Sequence, residues 1–126
     1  MEGYDAWLEK AKEDLLWTKS SLEGKVYYGA CFSAQQAAEK ALKAFLIYHK
    51  KGLRKVHAIL ALLEDCIEID NSFEDLREGI LVLVPYYITT RYPIFEELSA
   101  FSKEQAEQAF KVAQEIVGFV ERKLTR

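Results

Sequence analysis

The chain has 126 residues, is 50% hydrophobic and 29% charged, and contains only 6 glycines and 2 prolines. These figures exclude a disordered segment, a collagen-like repeat and a disulfide scaffold, and predict one domain over residues 1–126 built around one core. With 17 basic against 20 acidic residues the formal charge is −3, so any anion-binding surface must be local.

The first element, about Asp5 to Leu22, spaces Leu8, Ala11, Leu15, Thr18 and Leu22 by three and four with charges between them, which predicts an amphipathic helix. Gly24 is placed to end it. The pattern restarts near Lys25 and continues to about Lys51, with Gly52 as the next stop. Its seam, Tyr27, Ala30, Ala34, Ala37, Ala41, Ala44 and Tyr48, is alanine at its five central positions, which lets another helix approach closely. A second apolar row, Tyr28, Cys31, Ala38, Leu42 and Phe45, predicts burial over a wide face, so this element should be the spine of the fold.

A third, shorter helix is expected from about Lys55, presenting Val56, Ile59, Leu60, Leu63 and Ile67. After a polar break at Glu68–Asn71, Ser72 is the predicted cap of a fourth helix carrying Phe73, Leu76, Ile80, Leu83, Val84 and Tyr87. Pro85 falls inside that pattern and should kink the helix or end it early. The stretch ILVLVPYYI suits a strand by composition, yet no partner strand is predicted anywhere, so it is read as helical. A loop holding Arg91, Tyr92 and Pro93 follows. The run Ser102-Lys103-Glu104-Gln105 has the form of a capping box and opens a last helix buried through Ala106, Phe110, Ala113, Val117, Val120 and Leu124. The expected fold class is all-α, an antiparallel up-down bundle of four to five helices.

Cys31 and Cys66 sit within apolar helical patterns and read as small core residues, which suggests a reducing compartment. His49 and His57 lack the further ligands a zinc site needs, so no metal and no cofactor are expected. The N-terminal stretch has no basic leader followed by an apolar run, and no run approaches the roughly 20 apolar residues of a membrane span. The expectation is a cytoplasmic protein without membrane association.

Charge is segregated along the chain. Lys40, Lys43, Lys50, Lys51, Arg54 and Lys55 face a single acid, Glu39, between 39 and 57, whereas acids dominate from Glu64 to Glu78. Such a bias either steers an anion to one end of the bundle or marks solvated faces of opposite sign.

Three blocks taken together carry a resemblance: CFSAQQAAEKALKAFLIY in the second element, HAILALL opened by His57, and YYITTRYP at 86–93. In order and spacing the chain resembles the HEPN family of small prokaryotic helical proteins. The resemblance implies a helical bundle that forms a homodimer, with a groove between subunits associated with nucleotides or RNA. It also implies a partner, a minimal nucleotidyltransferase, in a two-gene module of toxin–antitoxin type. Catalytic members are metal-independent ribonucleases carrying Arg, four to six residues, then His. Here Arg54 stands too close to His57, and no His follows Arg77, Arg91 or Arg122, so the likeness points to the nucleotide-binding branch rather than to an enzyme.

The candidate binding residues are Arg91, Tyr92, His57, Lys40, Lys43 and Gln36. The Arg91 guanidinium can grip a phosphate with two parallel hydrogen bonds, or simply tie down its loop. Tyr92 offers a face on which a base can stack, or plugs the end of the bundle. His57 could take a proton from a ribose hydroxyl, or cap its helix. Lys40 and Lys43 share a helix face and could line a phosphate path, or stand as solvated lysines. Of Gln35 and Gln36, one should point inward or towards the dimer groove, in a structural network or a ligand contact. Two other readings follow: a ribonuclease toxin with His57 as base and Arg91 on the phosphorane, the only catalytic candidates, and a structural dimer that scaffolds its partner. Dimerisation is expected because the alanine seam, the second apolar row and the aromatic fourth element offer many apolar faces.

Overall fold

The computed structural model describes residues 3–53, 58–91 and 101–125, with the side chains of 88–91 outside the description. Val56, the candidate His57 and the candidate Tyr92 therefore lie outside the described residues. Five α-helices and one 3-10 helix are present among those described: α1 (Tyr4–Glu23), α2 (Tyr27–Tyr48), α3 (Ile59–Ile69), the 3-10 helix (Asn71–Leu76), α4 (Arg77–Arg91) and α5 (Lys103–Leu124).

The four long helices run up, down, up and down. Side-chain pairs set their registers: Trp17 meets Phe32 and Tyr4 meets Tyr48 between α1 and α2, while Phe32 meets Tyr87 between α2 and α4. Lys12 of α1 bonds Glu121 of α5. The shorter α3 packs outside α2 and α4 and points the same way as α2, with the Cys66 thiol 3.7 Å from the Leu42 carbonyl.

The predicted spine is α2, which packs against all four other helices. Its alanines at 30, 34, 37, 38, 41 and 44 are fully buried, because a seam without side chains beyond Cβ lets α1 and α5 close on it from both sides. That seam is consumed within the subunit. Apolar surface is left elsewhere, at Leu16 and Trp17 on α1, Tyr28 on α2, and Leu81 and Val84 on α4.

The helix ends differ in detail from the sequence reading. α1 stops at Glu23, but the left-handed residue that turns the chain is Lys25, at φ 62°, rather than Gly24. Lys25 donates to the Leu22 carbonyl and Val26 to the Ser21 carbonyl, a paired-bond ending that satisfies the last carbonyls of the helix. α2 ends the same way with Lys50 at φ 59°, two residues before Gly52. The cap predicted at Ser72 belongs to Asp70, whose Oδ1 accepts from the Ser72 amide at 3.0 Å and from its hydroxyl at 2.7 Å. The chain first makes a 3-10 helix there, and α4 begins only at Arg77.

Pro85 does not end α4, which continues to Arg91. The proline lies on the exposed side of the helix, and Leu81, whose carbonyl loses its partner, is exposed as well, so water can supply the missing hydrogen bond. Arg91, expected in a loop, is consequently the last residue of a helix. The capping box at Ser102 forms as predicted, with both reciprocal bonds to Gln105 in place.

Candidate functional site

Lys40 and Lys43 stand three apart on α2 and both lean towards α1, because the antiparallel register brings Asp14 and Trp7 opposite them. Lys40 Nζ is 2.6 Å from Asp14 Oδ2. Burial pushes the Asp14 carboxyl above its ordinary range, and the Lys40 hydrogen bond opposes that shift. One turn on, Lys43 Nζ lies 2.8 Å from the buried Glu39 carboxylate and 5.3 Å from the centre of the Trp7 ring. Gln35 is the inward-pointing amide, fully buried, with a long 3.5 Å bond to Glu39. Half-buried Gln36 donates to Gln35 Oε1 at 2.8 Å. Lys40, Lys43 and Gln36 are thus brought into one polar seam, and both lysine charges are already held by carboxylates. Below them Thr18 and Ser33 share a 2.7 Å hydrogen bond, and no buried polar side-chain atom among the described residues lacks a partner.

Arg91 is not part of that seam. The Tyr87 ring lies 6.4 Å from Phe32, and α4 runs antiparallel to α2, so its last turn continues towards the beginning of α2. Lys40 and Lys43 lie eight and eleven residues the other way. At about 1.5 Å per residue, the Arg91 backbone and the two lysines are roughly 18 to 22 Å apart along the bundle. They cannot grip one phosphate together. α3 begins towards the same end as the last turn of α4, since Cys66 is level with Leu42 while the end of α3 reaches Tyr48 and His49.

The cysteines behave as core residues. Burial pushes both thiols up to about 12, so neither supplies a thiolate at neutral pH. Among the described residues no group of three His, Cys, Asp or Glu could hold a metal ion, and no described helix is long and apolar enough to cross a membrane.

A further feature escapes the sequence reading. Where α2 and α5 end together, Phe45, Tyr48, His49, Ile69, Asp70, Asn71, Arg122 and Lys123 line an open cleft of about 620 Å³. The sequence presents His49 only as a possible metal ligand, and Arg122 only as an arginine followed by no histidine. The available signal is the pair of basic clusters at helix ends, His49-Lys50-Lys51 and Arg122-Lys123.

Compared with known proteins, residues 4–123 match the family model described as HEPN domain. The chain belongs to the HEPN family. This HEPN chain superposes with a TM-score of 0.88 on the crystal structure of TT1696 from Thermus thermophilus, at 40% identity over 98% of this chain and 99% of that one. It superposes at 0.83 on ST0689, an archaeal HEPN homologue, at 26% identity over 99% and 100%. Over 124 residues it is 27% identical to a Methanocaldococcus jannaschii protein named "Putative toxin MJ1304", covering 88% of this chain and 81% of that protein. The HEPN bundle therefore carries three polar places: the last turn of α4 with Arg91, the paired lysine seam between α1 and α2, and the basic cleft at the opposite end.

Proposed function

We propose that this HEPN protein binds a nucleotide or RNA through the end of the bundle where α4 finishes, and that it is one component of a two-gene toxin–antitoxin-type module with a minimal nucleotidyltransferase. The observation that carries the reading is Arg91 at the close of α4, within the YYITTRYP block and apart from the carboxylate-bearing lysine seam. Arg91, with Tyr92 and His57 as its companions from the sequence, supplies phosphate and base contacts, while Lys40, Lys43 and Gln36 bear on a longer strand only by exchanging their internal partners. The similarity to a protein named as a toxin supports the module, and the absent Arg-x4–6-His spacing favours binding over cleavage.

The subunit is proposed to act as a cytoplasmic homodimer. Support comes from the partly exposed aromatic run Trp17, Phe32 and Tyr87, which crosses α1, α2 and α4 with ring centres 6.1 and 6.4 Å apart, and from exposed Tyr28 and Val84. Sedimentation at micromolar concentration should give twice the 14.5 kDa subunit mass, and a Trp17→Glu variant should shift it to the monomer.

The deciding experiment incubates labelled single-stranded RNA with wild-type protein and an Arg91→Ala, His57→Ala double variant in chelator, reading binding and cleavage together. Arg91-dependent binding without cleavage is the expected result. Cleavage by wild type alone replaces this reading with the ribonuclease one. Neither signal, with partner binding intact, replaces it with the scaffold.

A further inference from the structure

We propose that the cleft between the C-terminal ends of α2 and α5 is a second nucleotide subsite, in which Arg122 holds a phosphate while Tyr48 and His49 receive the base. The proposal rests on the nucleotide reading above for its ligand class, but on different residues at the other end of the bundle.

Charge pairing is the first argument. Two cations line the cleft, Arg122 and Lys123, and Lys50 and Lys51 follow its lining residue His49 directly in the chain. Lys51 is paired with Glu68 at 3.1 Å and Lys123 with Asp70 at 2.9 Å, whereas Lys50 and Arg122 have no ion pair among the described residues. A protein with a net charge of −3 therefore keeps a local positive excess at this cleft. Asp70 also lines the cleft and offsets the charge of Lys123, which leaves Arg122 as the lining cation with no ion pair among the described residues. The negative ends of two helix dipoles do point here, but after Tyr48 the last α2 carbonyls accept from the amides of residues 49–51, which blunts that repulsion.

Shape and stacking surface are the second argument. The volume of about 620 Å³ falls within the range of small-ligand sites. Tyr48 is 40% exposed, with its ring set edge-on to His49 at 5.1 Å, so the two aromatic side chains form one wall. Aromatic faces accept any base, and a guanidinium across the cleft reaches the phosphate on the same ligand.

The chain has two histidines, so their ring proton signals can be followed separately and assigned with His49→Gln. Titration with adenosine monophosphate should shift the His49 signals saturably. Arg122→Ala should raise the concentration needed by about tenfold, the value of one charge-assisted contact, and Arg122→Lys should recover part of it. A single-stranded oligoadenylate acting at lower concentration than the monophosphate identifies a strand as the source, and the reverse identifies free nucleotide. His49 signals that stay fixed at millimolar monophosphate, or that shift identically in Arg122→Ala, overturn the proposal. Arg91-dependent RNA binding is read in a separate assay, so either reading can fail alone.

Discussion

Lys40 Nζ and Asp14 Oδ2 lie 2.6 Å apart, and this contact ties α2 to α1 one turn from the buried Thr18–Ser33 hydrogen bond. Asp14 is largely buried, and its raised pKa means that holding it ionised costs the folded protein stability. Lys40 limits that cost. Lys40→Met should therefore destabilise the protein by about 1–2 kcal/mol at pH 7, because it leaves a partly buried carboxylate uncompensated. A carboxyl whose folded pKa exceeds its unfolded value binds its proton more readily when folded, so the penalty exists above the folded pKa and fades as pH falls through it. The loss in urea denaturation should shrink as pH falls towards the ordinary value of 3.8. A Lys40→Met, Asp14→Asn pair should recover part of the stability, and equal losses at pH 7 and pH 4 would refute the account.

Asp70 has the opposite sign. Its hydrogen bonds from Ser72, and then Lys123, hold its pKa at about 2 against an ordinary 3.8. Its contribution is complete above the unfolded value and is lost as pH falls through the folded one. Asp70→Ala should cost about 1 kcal/mol at pH 6, the usual value of a cap. The gap between variant and wild type should close between pH 4 and pH 2, as measured by thermal melts across that window.

Lys50 occupies left-handed backbone at φ 59°. A side chain there costs about 1 kcal/mol or more, and glycine removes the strain while adding some freedom to the unfolded chain. Lys50→Gly should raise stability by about 0.5 kcal/mol, visible as a higher melting temperature. Gly52→Ala, by contrast, meets no atom within 4 Å and should change little.

The alanine seam offers the sharpest packing test. Ala37 has no exposed surface, and Ala37→Leu should cost about 1–3 kcal/mol by forcing α2 away from its neighbours. Leu16→Ala, at a residue 67% exposed, should fall within about 0.5 kcal/mol of wild type. Similar losses from the two substitutions would mean that the seam is not the tight surface described.

Much of the fold was legible because helical periodicity is a local property. Leu8 to Leu22, the alanines of α2 and the capping box at Ser102 announce their structure through neighbours three and four residues away. Errors arose where a turn had several possible partners. Asp70 rather than Ser72 became the cap because its carboxylate reaches both the Ser72 amide and Lys123 of α5. Lys25 and Lys50 took the left-handed positions although glycines stood close by.

The candidate site was less legible. Lys40 and Lys43 could be read as a phosphate path or as solvated lysines, because helix packing alone brings Asp14 to Lys40 and buries the Glu39 that pairs with Lys43. The cleft at Tyr48, His49, Arg122 and Lys123 was invisible for the same reason, since its two walls are more than 70 residues apart in the chain.

The amino-acid sequence alone determined the helical class, the central place of α2 and the capping of α5, which follow from short-range spacing and side-chain size, and its three blocks carried the resemblance to the HEPN family. Only the tertiary structure decided which charges are paired and which remain open. A paired lysine such as Lys40 and a cation such as Arg122, which has no ion pair among the described residues, look alike in a sequence. They separate only when helix packing places a carboxylate within about 4 Å of one and not of the other.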